Sequence, residues 1–384
     1  MKIGIITFWN SNDNYGQVLQ CYALQRYLRN LGHSPFLIKY DHALDVCKYA
    51  NNANLNNNRP FFHILKSKIK HIAKTIVTKI IVTKTNNNFE LRNFDLFREN
   101  NIQSTPNVYS SLEELQQNPP EADMYIAGSD QIWNVNPIQW RHTAFFLNFG
   151  SNGIKKISYA ASIARKDYPH EWLPTLASEL KRFDNVSVRE IESIGICQQC
   201  GITASLVIDP TLLIPKDAYT PFLSKAKRIK QLYLYIINIS TADELRIEEI
   251  MDAKGDLGIK TTVSSGYLPA SKFIPNMEYE DSTVEQWITN IATSQYVITS
   301  SFHGVMFCIL FHTPFLFIPL RGHFSSGNNR VSSILSQLGL SERYLNENDN
   351  IGMKLHRPIN WEWVDENLEI LRKVSTEWLK NAIS

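Results

Sequence analysis

Short apolar runs alternate with longer helical patterns along the chain, which is typical of an α/β protein with mainly parallel strands. Between the first two runs, Cys21, Leu24, Leu28 and Leu31 repeat at helical spacing, and Gly32 is placed to end that helix. Ten apolar runs are predicted strands: Ile3–Phe8, Pro35–Tyr40, Met124–Ala127, Lys156–Ala161, Val186–Val188, Ser205–Ile208, Leu232–Ile237, Lys260–Val263, Tyr296–Thr299 and Phe315–Ile318.

The predicted strands fall into two groups, separated by a segment with two prolines, Pro210 and Pro215, and a charged stretch after it. We therefore predict one α/β domain over residues 1–216 and a second over 217–355. Residues 356–384 carry Trp361, Trp363 and Leu368 among other apolar side chains, which makes this tail too apolar to be free. We expect it to pack as a helix.

An insertion at about 60–90 differs from the rest of the chain in composition. Leu65, Ile69, Ile72 and Ile76 repeat at helical spacing there, and six lysines but no acidic residue lie between residues 66 and 84. One interpretation is a solvent-exposed helix that packs its apolar face on the core. The other is a helix over 64–84 that lies on a membrane surface, with its lysines against anionic headgroups.

Charge and cysteine usage narrow the class of protein. Lys and Arg number 39 against 37 Asp and Glu, a net charge of +2, so the charge balance does not favour a nucleic-acid partner. Five cysteines without framework spacing fit a reducing compartment. No signal-peptide pattern and no run of ~18 apolar residues occurs, so we expect a cytoplasmic protein.

Common cofactor and metal signatures are missing from the sequence. Neither G-x-G-x-x-G after a strand nor G-x-x-x-x-G-K-[ST] occurs, which disfavours ordinary dinucleotide and P-loop enzymes. Cys197 and Cys200 form a single C-x-x-C pair, which has too few ligands for a zinc site. We therefore expect no metal and no bound cofactor.

Polar loops follow three of the predicted strands, where ligands bind in open α/β sheets. The first holds Asn14, Gly16 and Gln17 at the start of a helix, which also suits a simple capping turn. The second holds Ser129, Asp130, Trp133 and Asn134. Its Gly-Ser-Asp start is good turn chemistry, yet a carboxylate, an amide and an indole together also suit a sugar ring and its hydroxyls.

The third polar loop contains Ser301, His303 and Gly304 at a strand-to-helix turn. A lone core histidine is often structural, but this position is suited to a general acid or an anion ligand. Arg189, Arg321 and Arg330 also lie near strand ends. Arginines there could hold phosphate and carboxylate groups through paired hydrogen bonds.

Several of these motifs, in this order, resemble the polysaccharide pyruvyl transferase family, in the branch found in bacterial capsule and exopolysaccharide clusters. The matching segments are Ile3 to Thr7, Asn14-Tyr15-Gly16, Leu19 to Gln25, Gly128 to Asn134, Tyr159 to Ser162, Ser187 to Glu190, Asp209-Pro210-Thr211, Thr299 to Gly304, Asn329-Arg330 and Leu338-Gly339-Leu340. The resemblance thus runs from residue 3 to about 340.

The resemblance implies two Rossmann-like domains that face a cleft, similar to GT-B glycosyltransferases, with the acceptor on the N-terminal side and the donor on the C-terminal side. It implies transfer of pyruvate from phosphoenolpyruvate (PEP) to a sugar diol of a polysaccharide or its lipid-linked precursor, forming a ketal. The family's arginine and histidine map to Arg189 and His303. Some members have Arg-Leu before that histidine, where this chain has Ser301-Phe302. Arg321 or Arg330 could supply the missing charge.

On this basis His303 is a candidate acid or phosphate partner, and Asp130 is a candidate base or sugar anchor. The predicted donor-binding residues are Arg189, Ser301, His303, Gly304, Arg321 and Arg330. The predicted acceptor-binding residues are Asn14, Gly16, Gln17, Ser129, Asp130, Trp133 and Asn134. Two other functions are open at this point: a GT-B-type glycosyltransferase with a nucleotide-sugar donor, and a non-catalytic component of a polysaccharide assembly complex.

Overall fold

The computed structural model describes residues 1–10, 14–42, 45, 92–134, 144–224, 227–239, 242–262 and 278–384. All ten predicted strands are confirmed, two of them with identical ends and the others with ends that differ by a few residues, and Glu278–Glu280 is an additional short strand. The strands are β1 Lys2–Ile6, β2 Ser34–Leu37, β3 Met124–Ala127, β4 Lys155–Ser158, β5 Val186–Val188, β6 Ala204–Leu206, β7 Ile229–Tyr235, β8 Gly258–Thr262, β9 Glu278–Glu280, β10 Ser294–Thr299 and β11 Phe315–Phe317.

Helices connect most of these strands. They are α1 Tyr15–Asn30, α2 Phe94–Asn101, α3 Leu112–Gln117, α4 Leu173–Leu180, α5 Ile191–Gln199, α6 Pro210–Leu213, α7 Ala242–Leu245, α8 Ile247–Lys254, α9 Val284–Thr293, α10 Phe302–Leu310, α11 Asn328–Gln337, α12 Ile351–His356 and α13 Trp361–Ile383. Short 3₁₀ turns span Ala144–Phe146, His170–Trp172, Lys216–Ala218, Thr220–Phe222, Gly322–Gly327 and Ser341–Arg343.

The first sheet is parallel and has the strand order β2-β1-β3-β4. Isolated bridges from Ile157 to Asn185 and from Ala161 to Val188 continue it to the parallel pair β5-β6. The order reverses between β1 and β3, since β2 lies on one side of β1 and all later strands lie on the other. Loops at the carboxyl ends of β1 and β3 therefore part and leave a crevice.

The second sheet is also parallel, with the order β11-β10-β7-β8-β9. Its order reverses between β7 and β10, so a second crevice opens at the carboxyl ends of those strands. Two parallel sheets connected by helices confirm the predicted α/β class with two Rossmann-like units. The domain boundaries at residues 216 and 355 stay a prediction.

Helix α1 belongs to the first sheet by connection but packs on both halves of the chain. Asn14 caps its start by accepting a hydrogen bond from the Gln17 amide, and Gly32 follows its end with a φ of +82°. Across the halves, the Tyr15 ring stacks on Trp287 at 5.1 Å, and the Tyr22 hydroxyl donates to the Ala218 carbonyl. One hydrophobic core consequently runs from the first sheet into the second.

The tail forms the long helix α13, which packs back on the first half of the chain. The Ile208 amide donates to the Ser375 hydroxyl, and Arg372 Nε donates to the Leu212 carbonyl 2.8 Å away. Val364, Leu368 and Leu379 are buried on the inner face of this helix. The tail thus covers α6 and the end of β6.

The lysine-rich segment over 64–84 lies outside the described residues, so both interpretations of it stay predictions. None of the helices that the structure describes has the length and apolar character needed to cross a membrane.

Candidate active site

A pocket of about 450 Å³ opens where the crevices of the two sheets meet. The first half supplies residues from the loops after β1 and β3, and the second half supplies residues from the loops after β7, β10 and β11. Its lining residues are Phe8, Asn14, Gln17, Asp130, Gln131, Asn134, Ile237, Asn238, Ser300, Ser301, Phe302, His303, Phe317, Leu320, Phe324, Ser326, Gly327, Arg330 and Val331. The pocket therefore combines the strand-order reversals of both sheets in one cavity.

Two helices begin at this pocket. Asn14 caps α1, and Ser301 caps α10 by accepting a hydrogen bond from the Gly304 amide. The first turn of a helix carries partial positive charge and amide groups without helical partners. Both starts therefore favour an anion in the cavity between them.

Arg330, in the first turn of α11, places a buried guanidinium on the pocket wall. Its Nε donates to the Gly327 carbonyl, and the Gln131 amide oxygen lies 2.7 and 3.0 Å from its terminal nitrogens in the orientation that pairs donor with acceptor. No carboxylate of a described residue lies within 4.0 Å of it. Burial and the neighbouring Arg189 lower the pKa of Arg330 to about 10. Burial of this charge is therefore unfavourable in free energy, and an anion bound in the pocket would offset that cost.

Arg189, at the end of β5, differs from Arg330 because its charge is balanced inside the protein. Its Nη1 donates to Asp209 Oδ2 at 2.6 Å and to Ser129 Oγ at 3.1 Å, and its Nη2 lies 3.3 Å from Asp130 Oδ1. Burial alone would lower the pKa of Arg189, but Asp209, Asp130 and Glu190 together raise it. Arg189 does not line the pocket and lies behind Phe302, whose ring centroid is 4.6 Å from the guanidinium carbon.

Asp209 connects these groups and is a site residue that the sequence analysis missed. Its Oδ1 accepts hydrogen bonds from the Thr211 amide and hydroxyl, and its Oδ2 accepts from Ser129 and Arg189. Burial would raise the pKa of this carboxyl, but His303 and Arg189 outweigh burial and hold the pKa well below its usual range. In the sequence Asp209-Pro210 looks like an ordinary helix start, and only the family motif signals it.

His303 lies in the first turn of α10 and reaches the first half of the chain. Its Nε2 is 3.7 Å from Asp209 Oδ2. On the other side its ring packs on Gly16, where an added Cβ would lie only 1.9 Å from Nδ1. The Phe302 ring meets the imidazole edge to face at 5.1 Å. The only residue at position 16 that leaves room for this ring is glycine.

Asp130 has a backbone conformation that side chains rarely adopt, with a φ of +86°. Its Oδ1 accepts from the Gln131 amide at 2.8 Å, and its carboxylate also lines the pocket. Strain of this kind persists where the surrounding structure holds a residue in place. Here the left-handed turn directs Asp130 between Arg189 and the cavity.

The pocket brings together seven of the predicted site residues, while Arg189 and three others lie directly behind its wall. The lining residues are Asn14, Gln17, Asp130, Asn134, Ser301, His303 and Arg330. Gly16 packs on His303, Ser129 bonds to Asp209, and Gly304 packs against Thr299. The pocket residues Phe8 and Asn238 carried no signal in the sequence beyond their place at, or directly after, the end of a predicted strand.

The structure places two of the predicted binding residues, Trp133 and Arg321, outside the lining of the pocket. Trp133 is fully buried, with its ring stacked on Phe146 at 5.6 Å, so it offers no face to a sugar. Its indole N–H donates to the Phe145 carbonyl, which accounts for a polar atom in the core. Arg321 is exposed and lies 3.6 Å from Glu347, outside the residues that line the pocket.

Metal-ligating residues do not converge in the part of the chain that is described: no three His, Cys, Asp or Glu side chains lie together in a suitable arrangement. Cys197 and Cys200 are buried free thiols, and burial raises the pKa of each, to about 12 and about 11. These thiols therefore lack the thiolate character of a reactive or metal-binding cysteine.

Comparison with known proteins identifies one family. Residues 14–321 match the family model described as polysaccharide pyruvyl transferase. No curated protein sequence matches the chain.

Similar solved structures include Arabidopsis thaliana UGT89C1, with 11% identity, a TM-score of 0.46, and coverage of 98% of this chain and 94% of that chain. A glycosyltransferase from Rickettsia africae has 12% identity and a TM-score of 0.44, with 100% and 98% of the two chains covered. Phage T4 BGT, solved with its UDP-glucose substrate, has 13% identity and a TM-score of 0.43, with 100% of each chain covered. At these scores the likeness does not extend to chemistry.

Proposed function

This chain belongs to the polysaccharide pyruvyl transferase family, and on that premise we propose that it transfers pyruvate from PEP to a sugar diol. The acceptor is a polysaccharide or its lipid-linked precursor, and the product is a pyruvate ketal. The observation that carries this proposal is the buried guanidinium of Arg330, which lines the pocket without a carboxylate partner among the described residues.

PEP carries a phosphate and a carboxylate on a small skeleton, so its site must supply positive charge. The second half of the chain offers Arg330, His303 and the start of α10 on one side of the pocket. Charged hydrogen bonds of this kind are stronger than neutral ones, and water exclusion strengthens them further. We therefore assign the donor to this side, with Ser301 near it and with Arg189 supporting the wall from behind.

The reaction joins two hydroxyls to one carbon of PEP. A proton adds to C3 of the enol, C2 becomes an oxocarbenium-like centre, and the first sugar hydroxyl attacks C2 and loses its proton. The C2–O bond to phosphate then breaks, and the second hydroxyl attacks C2 and closes the ketal. One hydroxyl proton balances the methyl group formed at C3, and the other leaves with inorganic phosphate. No oxidant or reductant is needed.

Two side chains in the pocket suit the proton transfers. His303 is our candidate for the group that protonates C3 or holds the leaving phosphate, and Asp130 is our candidate for the base or anchor at the sugar hydroxyls. Both line the same cavity, from opposite halves of the chain. A transfer between two substrates requires one group beside the donor and another beside the acceptor, and in our proposal His303 and Asp130 have these positions.

The acceptor fits the first-half side of the pocket, which is neutral apart from Asp130. Carboxamides from Asn14, Gln17 and Asn134 line it, and Phe8, which also lines it, is our candidate for the contact with the sugar face in place of Trp133. Amides bind sugar hydroxyls as both donors and acceptors.

Incubation of the purified protein with PEP and candidate oligosaccharides tests the proposal. We expect phosphate release that depends on the acceptor, and a product whose mass corresponds to a pyruvate ketal. His303→Ala should lower turnover by about 10²–10⁴-fold, whereas Arg321→Ala, outside the pocket, serves as the matched control. Release of a nucleoside diphosphate from a nucleotide sugar would instead identify a glycosyltransferase. Binding without turnover of either donor would indicate a non-catalytic component.

A further inference from the structure

His303 and Asp209 come from different halves of the chain and meet in the buried wall of the pocket. The Nε2 atom of His303 is buried and has no hydrogen-bond partner among the described residues. The nearest acceptor is Asp209 Oδ2 at 3.7 Å, slightly beyond hydrogen-bond distance. A carboxylate without solvent contact next to an imidazole nitrogen favours the hydrogen on that nitrogen.

We propose that Asp209 is a positioning residue for His303, and that it orients the imidazole through a hydrogen on Nε2 when a substrate occupies the pocket. Contacts of this kind are often long in the empty site and shorten in the substrate complex. The kinetic consequence rests on the proposed function, whereas the state of the imidazole does not.

Asp209 is suited to this role because its own position is fixed. Ser129, Arg189 and Thr211 hold its two oxygens through hydrogen bonds of 2.6 to 3.0 Å. Arg189 therefore acts on the histidine indirectly, because it neutralises and orients the Asp209 carboxylate that faces it. This explains why an arginine of the family motif is buried behind the pocket wall.

Gly16 limits the imidazole from the opposite side. A Cβ at this position would lie 1.9 Å from Nδ1 and 2.3 Å from Cγ of His303, so alanine would force the ring to move. Gly16 lies in the first turn of α1 without a positive φ, and alanine is the better helix former there. Gly16→Ala should therefore displace the histidine and leave the backbone of α1 helical.

The first test reads the imidazole directly, without an assay of activity. Long-range ¹H–¹⁵N spectra of the full chain, saturated with inorganic phosphate, report the hydrogen on each ring nitrogen, and the resonances lost in His303→Gln identify this residue. We expect hydrogen on Nε2 in the natural protein and a changed distribution in Asp209→Asn. Glu190→Gln is the matched control, since it removes an equally buried carboxylate that accepts from Ser162 and from the amides of residues 163 and 164.

The second test compares kinetics with PEP as donor. Asp209→Asn should lower kcat at least about tenfold, with KM for PEP changed by less than about twofold. Gly16→Ala should do the same while the protein stays folded, with a melting temperature lowered by no more than about 4 °C, which keeps the test valid if Asp209→Asn does not fold. A raised KM with normal kcat in both variants would overturn the proposal, as would unchanged His303 resonances in both. If the natural protein does not turn over PEP, the proposed function fails, and the spectra still decide this inference.

Discussion

Arg189 and Arg330 are both buried, but replacing each of them by methionine should change the stability of the protein by very different amounts. Replacing Arg189 by methionine leaves the Asp209 carboxylate, whose side chain is 0% exposed, without its 2.6 Å partner. Removing one partner of a buried ion pair typically costs about 3–5 kcal/mol. Unfolding entropy of about 2.1 cal/mol/K per residue gives about 0.8 kcal/mol/K for 384 residues. We therefore expect Tm to fall by about 4–6 °C.

Arg330→Met removes a buried cation that has no carboxylate partner among the described residues. A pKa lowered from 12.5 to about 10 corresponds to about 3 kcal/mol of unfavourable free energy for the charged form. Loss of the hydrogen bonds to Gly327 and Gln131 costs about 1–3 kcal/mol in return. The two effects nearly cancel, so Tm should stay within about 2 °C of the natural protein or rise.

Differential scanning calorimetry of both variants at neutral pH, at one scan rate and without phosphate, is the appropriate assay. The prediction concerns the difference between the variants, because both replace an arginine by a side chain of similar length. Equal losses of Tm would refute the reasoning, since they would mean that Arg330 is as well neutralised as Arg189. A larger loss for Arg330→Met would refute it as well.

Two further expectations rest on the structure, and a third rests on the sequence alone. Inorganic phosphate should raise the Tm of the natural protein as its concentration increases, because it binds the folded protein through the Arg330 guanidinium. The Tm of Arg330→Met should not change with phosphate, whereas Arg321→Met should respond like the natural protein. Trp133→Ala should destabilise the protein by about 3–5 kcal/mol in denaturant unfolding without a selective rise in KM for the acceptor, whereas Trp363→Ala, at a site that is 54% exposed, should change little. The protein should sediment with vesicles of anionic lipid at low salt, and a smaller fraction should sediment at 1 M salt. None should sediment when glutamate replaces four lysines: Lys66, Lys70, Lys74 and Lys79. Binding that ignores salt and these changes would contradict the membrane interpretation.

The strands could be predicted because each buried strand of a parallel sheet forms a short continuous apolar run. Met124–Ala127 and Val186–Val188 agree at both ends with the structure. Strand β9 was missed because Glu-Tyr-Glu at a sheet edge has no apolar run. The place of the site could also be predicted, since strand order reversals bring the polar loops of both halves to one pocket.

Individual side chains at the site were less predictable than its place. Trp133 lies in a polar loop after a strand. A loop has no hydrophobic periodicity that would show whether its ring is buried in the core or faces the pocket. Arg321 and Arg330 lie on either side of one 3₁₀ turn, and the start of α11 at Asn328 turns only the second toward the pocket. Asp209 is 80 residues from Ser129 and 20 from Arg189, so its partners appear only once the strands are aligned.

The packing of α1 on both halves limits how this enzyme can be recombined with its relatives. Exchanging everything after residue 216 would seem to swap the donor side as a unit. Yet the Tyr15 hydroxyl donates to the Ser282 carbonyl, its ring stacks on Trp287, and Tyr22 reaches Ala218. A chimera therefore has to take the residues of α1 that contact the second half, Tyr15 and Tyr22 among them, from the same parent as its second half. The units that can be exchanged are therefore defined by which surfaces pack together, and they do not coincide with continuous segments of the chain.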